Sequence, residues 1–140
     1  MLVYRVGHRS KTLRVDGRDF PSGPYAYATE RDFTSDLLNM VYAHSGEGSP
    51  RRHPSPMYDP DLRGIRDWEV CGFDSMDALL NWFESWHRTL ADNGFRIFVY
   101  EVPDHEVRVG AYGQCVFPPS AAEQVAVHDF DLESVQLSLF

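Results

Sequence analysis

The chain has one lysine, two cysteines and no long apolar run, and each scarcity excludes something. No stretch approaches the roughly 20 apolar residues of a membrane-spanning helix. Met1 to Arg5 reads as a strand, without the basic start, apolar centre and small-residue site of a signal peptide, so the expected compartment is a cytoplasm. Cys71 and Cys115 form no CxxC pair, and apolar neighbours mark them as reduced, buried thiols. Lys11 stands beside twelve arginines, a ratio that fits a GC-rich coding sequence. Missing too are a Walker sequence, a GxGxxG turn and a GxSxG elbow, the usual phosphate cradles and nucleophile mount. The six histidines never fall at HxH or HxxxH spacing, so no metal site is expected.

What is present describes one domain spanning residues 1–140. The 140 residues are 43% hydrophobic and 24% charged, enough for one continuous core. Aromatics reach 14% and supply core or pocket walls. The formal net charge of -8 repels nucleic acid unless the basic residues share a face. Arg5, Arg9, Arg14 and Arg18 gather near the amino end, whereas no arginine or lysine stands from Glu123 onward. That layout suits an anionic small ligand at one end; a surface of mixed charge gives the same counts.

Alternation predicts strands at Leu2–Val6 and Thr12–Val15, with turn chemistry at Asp16-Gly17 and Pro21-Ser22-Gly23-Pro24. Tyr25–Ala28 reads as a short extended segment. A helix capped by Thr29 or Thr34 runs through Leu37, Leu38, Val41 and Tyr42. Residues 45–62 are rich in proline and glycine, which excludes helix and strand together. So long a connection is either a stiffened solvated loop or a flap over a pocket. Ser75 and Gly94 bracket one amphipathic helix over 75–93, whose apolar face holds Leu79, Leu80, Trp82, Phe83, Trp86 and Leu90. The tryptophans read as core rather than as part of a cofactor site. Strands are expected at Phe95–Val102, Val107–Val109, Gln114–Phe117 and Val125–Phe130. The fold class is therefore α+β, a mixed, mainly antiparallel sheet with two principal helices.

One constellation points to chemistry. Tyr4-Arg5-Val6-Gly7-His8 ends the first strand, and Gly23-Pro24-Tyr25-Ala26-Tyr27-Ala28-Thr29 precedes a helix. Tyr100-Glu101-Val102 leads on to Gly110-Ala111-Tyr112-Gly113-Gln114-Cys115-Val116-Phe117-Pro118-Pro119. This order resembles small ADP-ribosyltransferases of the histidine–tyrosine–glutamate type. The resemblance implies that NAD is bound by Arg5, His8 and Tyr25 or Tyr27, and that Gln114, with Glu101 as a substitute carboxylate, occupies the catalytic position. Glutamine there keeps hydrogen bonding but loses the charge that steadies a developing oxocarbenium ion. Each residue has a plainer reading: His8 a strand-end histidine that is either on the surface or satisfied, the tyrosines packing on alternate faces, Gln114 an ordinary strand-start residue. The chain also resembles short proteins encoded by bacteriophages, in its Tyr-Arg-Val-x-His opening, its proline-rich middle and its Gly-Phe-Arg-Ile-x-Val-Tyr-Glu-Val strand. That implies an accessory or host-takeover role in a bacterial cytoplasm with a host protein as target. Two functions follow: an NAD-using transferase acting on a macromolecule, or a non-catalytic protein that binds and inhibits a host protein.

Overall fold

In a computed structural model, residues 1–26, 33–45 and 53–132 are described. Strand β1, Leu2–His8, is followed by a hairpin of β2, Thr12–Val15, and β3, Arg18–Pro21. Asp16 and Gly17 turn the hairpin with φ of 50° and 76°, the paired left-handed conformation that suits the twist of a two-residue hairpin. Helix α1 spans Ser35–Ser45. After the proline-rich segment come β4, Val70–Phe73, α2, Met76–Trp82, and α3, His87–Asp92. Then follow β5, Phe95–Glu101, β6, Arg108–Val109, β7, Gln114–Phe117, and β8, Glu123–His128.

The main sheet has the order β6-β7-β4-β1-β5-β8, and every pairing is antiparallel. Period-two alternation along β5 divides its side chains between two apolar layers. Phe95 and Ile97 join Val6, Leu37, Met40, Leu79, Phe83 and Leu90 beneath the helices. Phe98 and Tyr100 join Val3, Val15, Phe20 and Phe117 beneath the hairpin. The expected α+β class, with its mainly antiparallel sheet, is what the chain adopts.

Tyr25 and Ala26 lie in a turn and bend rather than in an extended segment, β3 is a strand where only turn chemistry around Phe20 was expected, and two larger expectations need correction. The single helix over 75–93 is two helices. Its ends are as expected: Ser75 caps α2 by accepting from the Ala78 N–H at 3.0 Å, and Gly94 takes φ of 85°. Between them Ser85 takes φ of 75°, which no α-helix accommodates. The second correction is β4, a strand between β7 and β1 that was not expected. Its four residues are largely buried, so they show no polar alternation. Of the cysteines, Cys115 is buried as expected but Cys71 only partly, and neither is in a disulfide.

Candidate functional site

The site begins where the sheet parts. β1 runs beside β5 over its whole length, yet its registered pairing with β4 is confined to Tyr4 and Phe73. Gly72 allows that contact, since a Cβ there would lie 2.9 Å from the Tyr4 carbonyl oxygen. Beyond it the Arg5 side chain takes over from the ladder. Nη1 donates to the Cys71 carbonyl at 2.7 Å, while Nη2 and Nε donate to the Pro21 carbonyl at 2.9 and 3.3 Å.

A cavity of about 590 Å³ opens beside this arginine, lined by Arg5, Cys71 and Gln114 and by the rings of Tyr25, His44, His53, Phe73, Trp82 and Phe83. The rings hold one another. The Trp82 indole N–H donates to the Tyr25 hydroxyl at 2.9 Å, which lies 2.7 Å from Nδ1 of His44. Having accepted from Trp82, the hydroxyl donates to His44, whose Nδ1 is then an acceptor and whose ring is neutral. Burial, with His53 stacked on it at 4.0 Å, lowers the His44 pKa from 6.5 to about 4. Burial likewise pushes the Tyr25 phenol above its usual range, only partly offset by the Trp82 N–H. As a residue Tyr25 is still 41% exposed, and it lines the cavity while its hydroxyl is held by Trp82 and His44.

His53 and Pro54 belong to the proline-rich segment, whose described part forms one wall of the cavity. Two anchors fasten it, one at the buried Asp59 and one at the half-buried Arg108. Asp59 accepts from the N–H of Asp61 at 3.0 Å, of Ala111 at 3.0 Å and from the Gln114 amide at 3.1 Å. Burial would raise its carboxyl, but these donors hold it below the usual range. Arg108 donates to the carbonyls of Leu62 and Gly64 at 2.8 and 3.1 Å, and to both oxygens of Glu69 at 2.7 and 3.0 Å.

The residues singled out from sequence are divided by the fold. Arg5, Tyr25 and Gln114 line the one cavity. Gln114 spends its amide N–H groups on Asp59 and on the Pro54 carbonyl at 2.9 Å, so it braces the wall. His8 is buried outside the cavity lining: Nε2 faces the Asn93 carbonyl at 2.9 Å and Nδ1 accepts from the Ser10 and Lys11 N–H groups. That is the satisfied strand-end histidine of the plainer reading. Glu101 is exposed and lies 3.2 Å from the amino-terminal ammonium, away from the cavity. Tyr27 lies outside the described residues. Among the described residues no cluster of three or more His, Cys, Asp or Glu could hold a metal ion, and no helix is long and apolar enough to cross a membrane. Sequence reasoning missed His44, His53 and the cavity role of Trp82. They come from three separate segments, and only the proline-rich composition around His53 marked one of them.

Over residues 1–131 the chain matches the family model of the bacteriophage T4 Y00F protein. It belongs to that family. No curated protein and no solved structure matches it. The phage resemblance read from the Tyr-Arg-Val-x-His opening and the Gly-Phe-Arg-Ile strand is therefore the one the family bears out, and membership spans β1 to β8 and every described residue of the cavity.

Proposed function

We propose that this phage-family protein works by binding: its ring-lined cavity holds the flat aromatic portion of a small ligand in the infected cell. The observation that carries this is the set of rings around about 590 Å³ of space, a volume in the range of small-molecule sites. Its hydroxyl and imidazole groups are already satisfied by one another, so the wall is rigid before a ligand arrives. Pre-organisation of that kind lowers the entropy lost on binding.

ADP-ribosyl transfer from NAD is the second reading, favoured by one observation: Arg5, Tyr25 and Gln114 line the same cavity. Binding without transfer is preferred because Glu69, the carboxylate lining the cavity, is engaged by Arg108 on both oxygens. Of the partners that the resemblance implied, the NAD-binding His8 and the substitute carboxylate Glu101 are committed elsewhere.

Titration with adenosine, nicotinamide and NAD, followed by the Trp82 indole N–H resonance and by calorimetry, tests both readings. Movement of that resonance with one or more of them, with no nicotinamide released from NAD, is the expected result. Release of nicotinamide would favour the transferase. An unmoved indole resonance with every compound at millimolar concentration would remove the binding reading.

A further inference from the structure

Arg5 is 4% exposed, and among the described residues no carboxylate pairs with it. Its partners are two backbone carbonyls and the Phe20 ring, whose centroid is 5.6 Å from Cζ. A guanidinium carries five N–H groups. Three are taken by Pro21 and Cys71. Among the described residues the second on Nη1 has the Cys71 thiol at 3.7 Å alone, and the second on Nη2 has no acceptor. Burying a cation without an anion is costly, and this one lines the cavity just described. Arg108, by contrast, is paired with Glu69, so among the described lining residues Arg5 is the arginine left without a carboxylate.

We infer that Arg5 is the anchor for an anionic group of the ligand, which makes the ligand class a small aromatic acid: a flat ring carrying a carboxylate or a phosphate. This rests on the binding reading and sharpens it. A box of aromatic rings can also receive a quaternary ammonium ion, but an unneutralised guanidinium in the same cavity repels a cation. Glu69 does not reverse that choice, since its charge is met by Arg108. The ring of the acid lies among Tyr25, Trp82 and Phe83, and its anion completes the donors of Arg5 in the bidentate manner that guanidinium favours.

Two matched pairs of probes separate the possibilities, each pair sharing a ring and differing in charge. Nicotinate against nicotinamide reads a carboxylate, and AMP against adenosine reads a phosphate. Calorimetry on the full chain gives the affinities, and protection of Cys71 from a thiol reagent places the probe, because Cys71 lines the cavity beside Arg5. In at least one pair the acid should bind about tenfold tighter or more than its neutral partner and should slow Cys71 labelling. In Arg5→Gln, shown to be folded by its thermal transition, that preference should fall to near unity. Arg5 also bridges β1 and β4, so the variant could fail to fold; the acid-to-neutral ratio and Cys71 protection in the unaltered protein then decide alone. Equal affinity within both pairs, or a preference that survives in folded Arg5→Gln, would overturn the anchor and leave the ring-binding cavity standing. Absence of binding by all four probes would remove both.

Discussion

The Trp82 indole N–H donates to the Tyr25 hydroxyl at 2.9 Å, which ties helix α2 to the segment after the hairpin across 57 positions of chain. The same hydroxyl meets His44 at 2.7 Å, so one oxygen joins three parts of the cavity wall. Tyr25→Phe leaves the indole N–H and the imidazole nitrogen without that partner. The variant should lose about 1–3 kcal/mol of stability, read from urea unfolding. A loss within error would mean that water replaces the hydroxyl at no cost.

Stability should depend on pH through His44. Its folded pKa is about 4 against an ordinary 6.5, so the folded protein holds a neutral ring that the unfolded chain protonates. The contribution is complete above pH 6.5 and is lost as the pH falls towards 4, at up to about 1.4 kcal/mol per unit. Burial and then the His53 ring stacked on it are what depress the value, and the Tyr25 hydroxyl meets its Nδ1. Asp59 and Glu69 have depressed carboxyl pKa values, and their stabilisation is lost at lower pH still. Urea midpoints at pH 7, 6 and 5 should decline, and His44→Leu should flatten the decline. A flat profile in the unaltered protein would contradict the neutral, buried ring.

The break between α2 and α3 gives a further test. Ser85 takes φ of 75°, a conformation that disfavours a side chain and that glycine adopts freely. Ser85→Gly should therefore raise stability by up to about 1 kcal/mol. If Ser85 stood in a continuous helix, the same change would lower stability instead. Urea unfolding distinguishes the two by sign.

That break also shows what the sequence could and could not disclose. Ser75, Gly94 and the apolar face between them were legible, because caps and helical period are local properties. The left-handed turn at Ser85 was not, since no glycine or proline marks it. Strand β4 was hidden for the opposite reason: buried between β7 and β1, Val70–Phe73 needs no polar face. At the site, Arg5, Tyr25 and Gln114 lie in the short motifs that carry the transferase resemblance. His44 and His53 were not legible, because their 4.0 Å stack joins helix α1 to the proline-rich segment. Meetings of that kind depend on tertiary packing, which periodicity does not encode.

The last prediction concerns Asp59, which is 1% exposed and fastens the proline-rich wall to β7. Its carboxylate takes N–H groups from Asp61, Leu62 and Ala111 and the amide of Gln114. Asp59→Ala would leave several of those donors buried and unpaired, at a cost of about 3 kcal/mol or more. Asp59→Asn keeps the shape but replaces one acceptor oxygen with a donor that faces other donors, so it should recover only part of the loss. Gly110→Ala should act in the same direction, because a Cβ at Gly110 would overlap the Asp59 carboxylate. Asp59→Ala and Gln114→Ala should be non-additive when combined, since each removes a partner of the other. If the wall is held as described, trypsin should cleave after Arg63 or Arg66 sooner in Asp59→Ala than in the unaltered protein, under conditions where both remain folded. Additive losses, with unchanged cleavage, would show that Arg108 alone holds the wall in place.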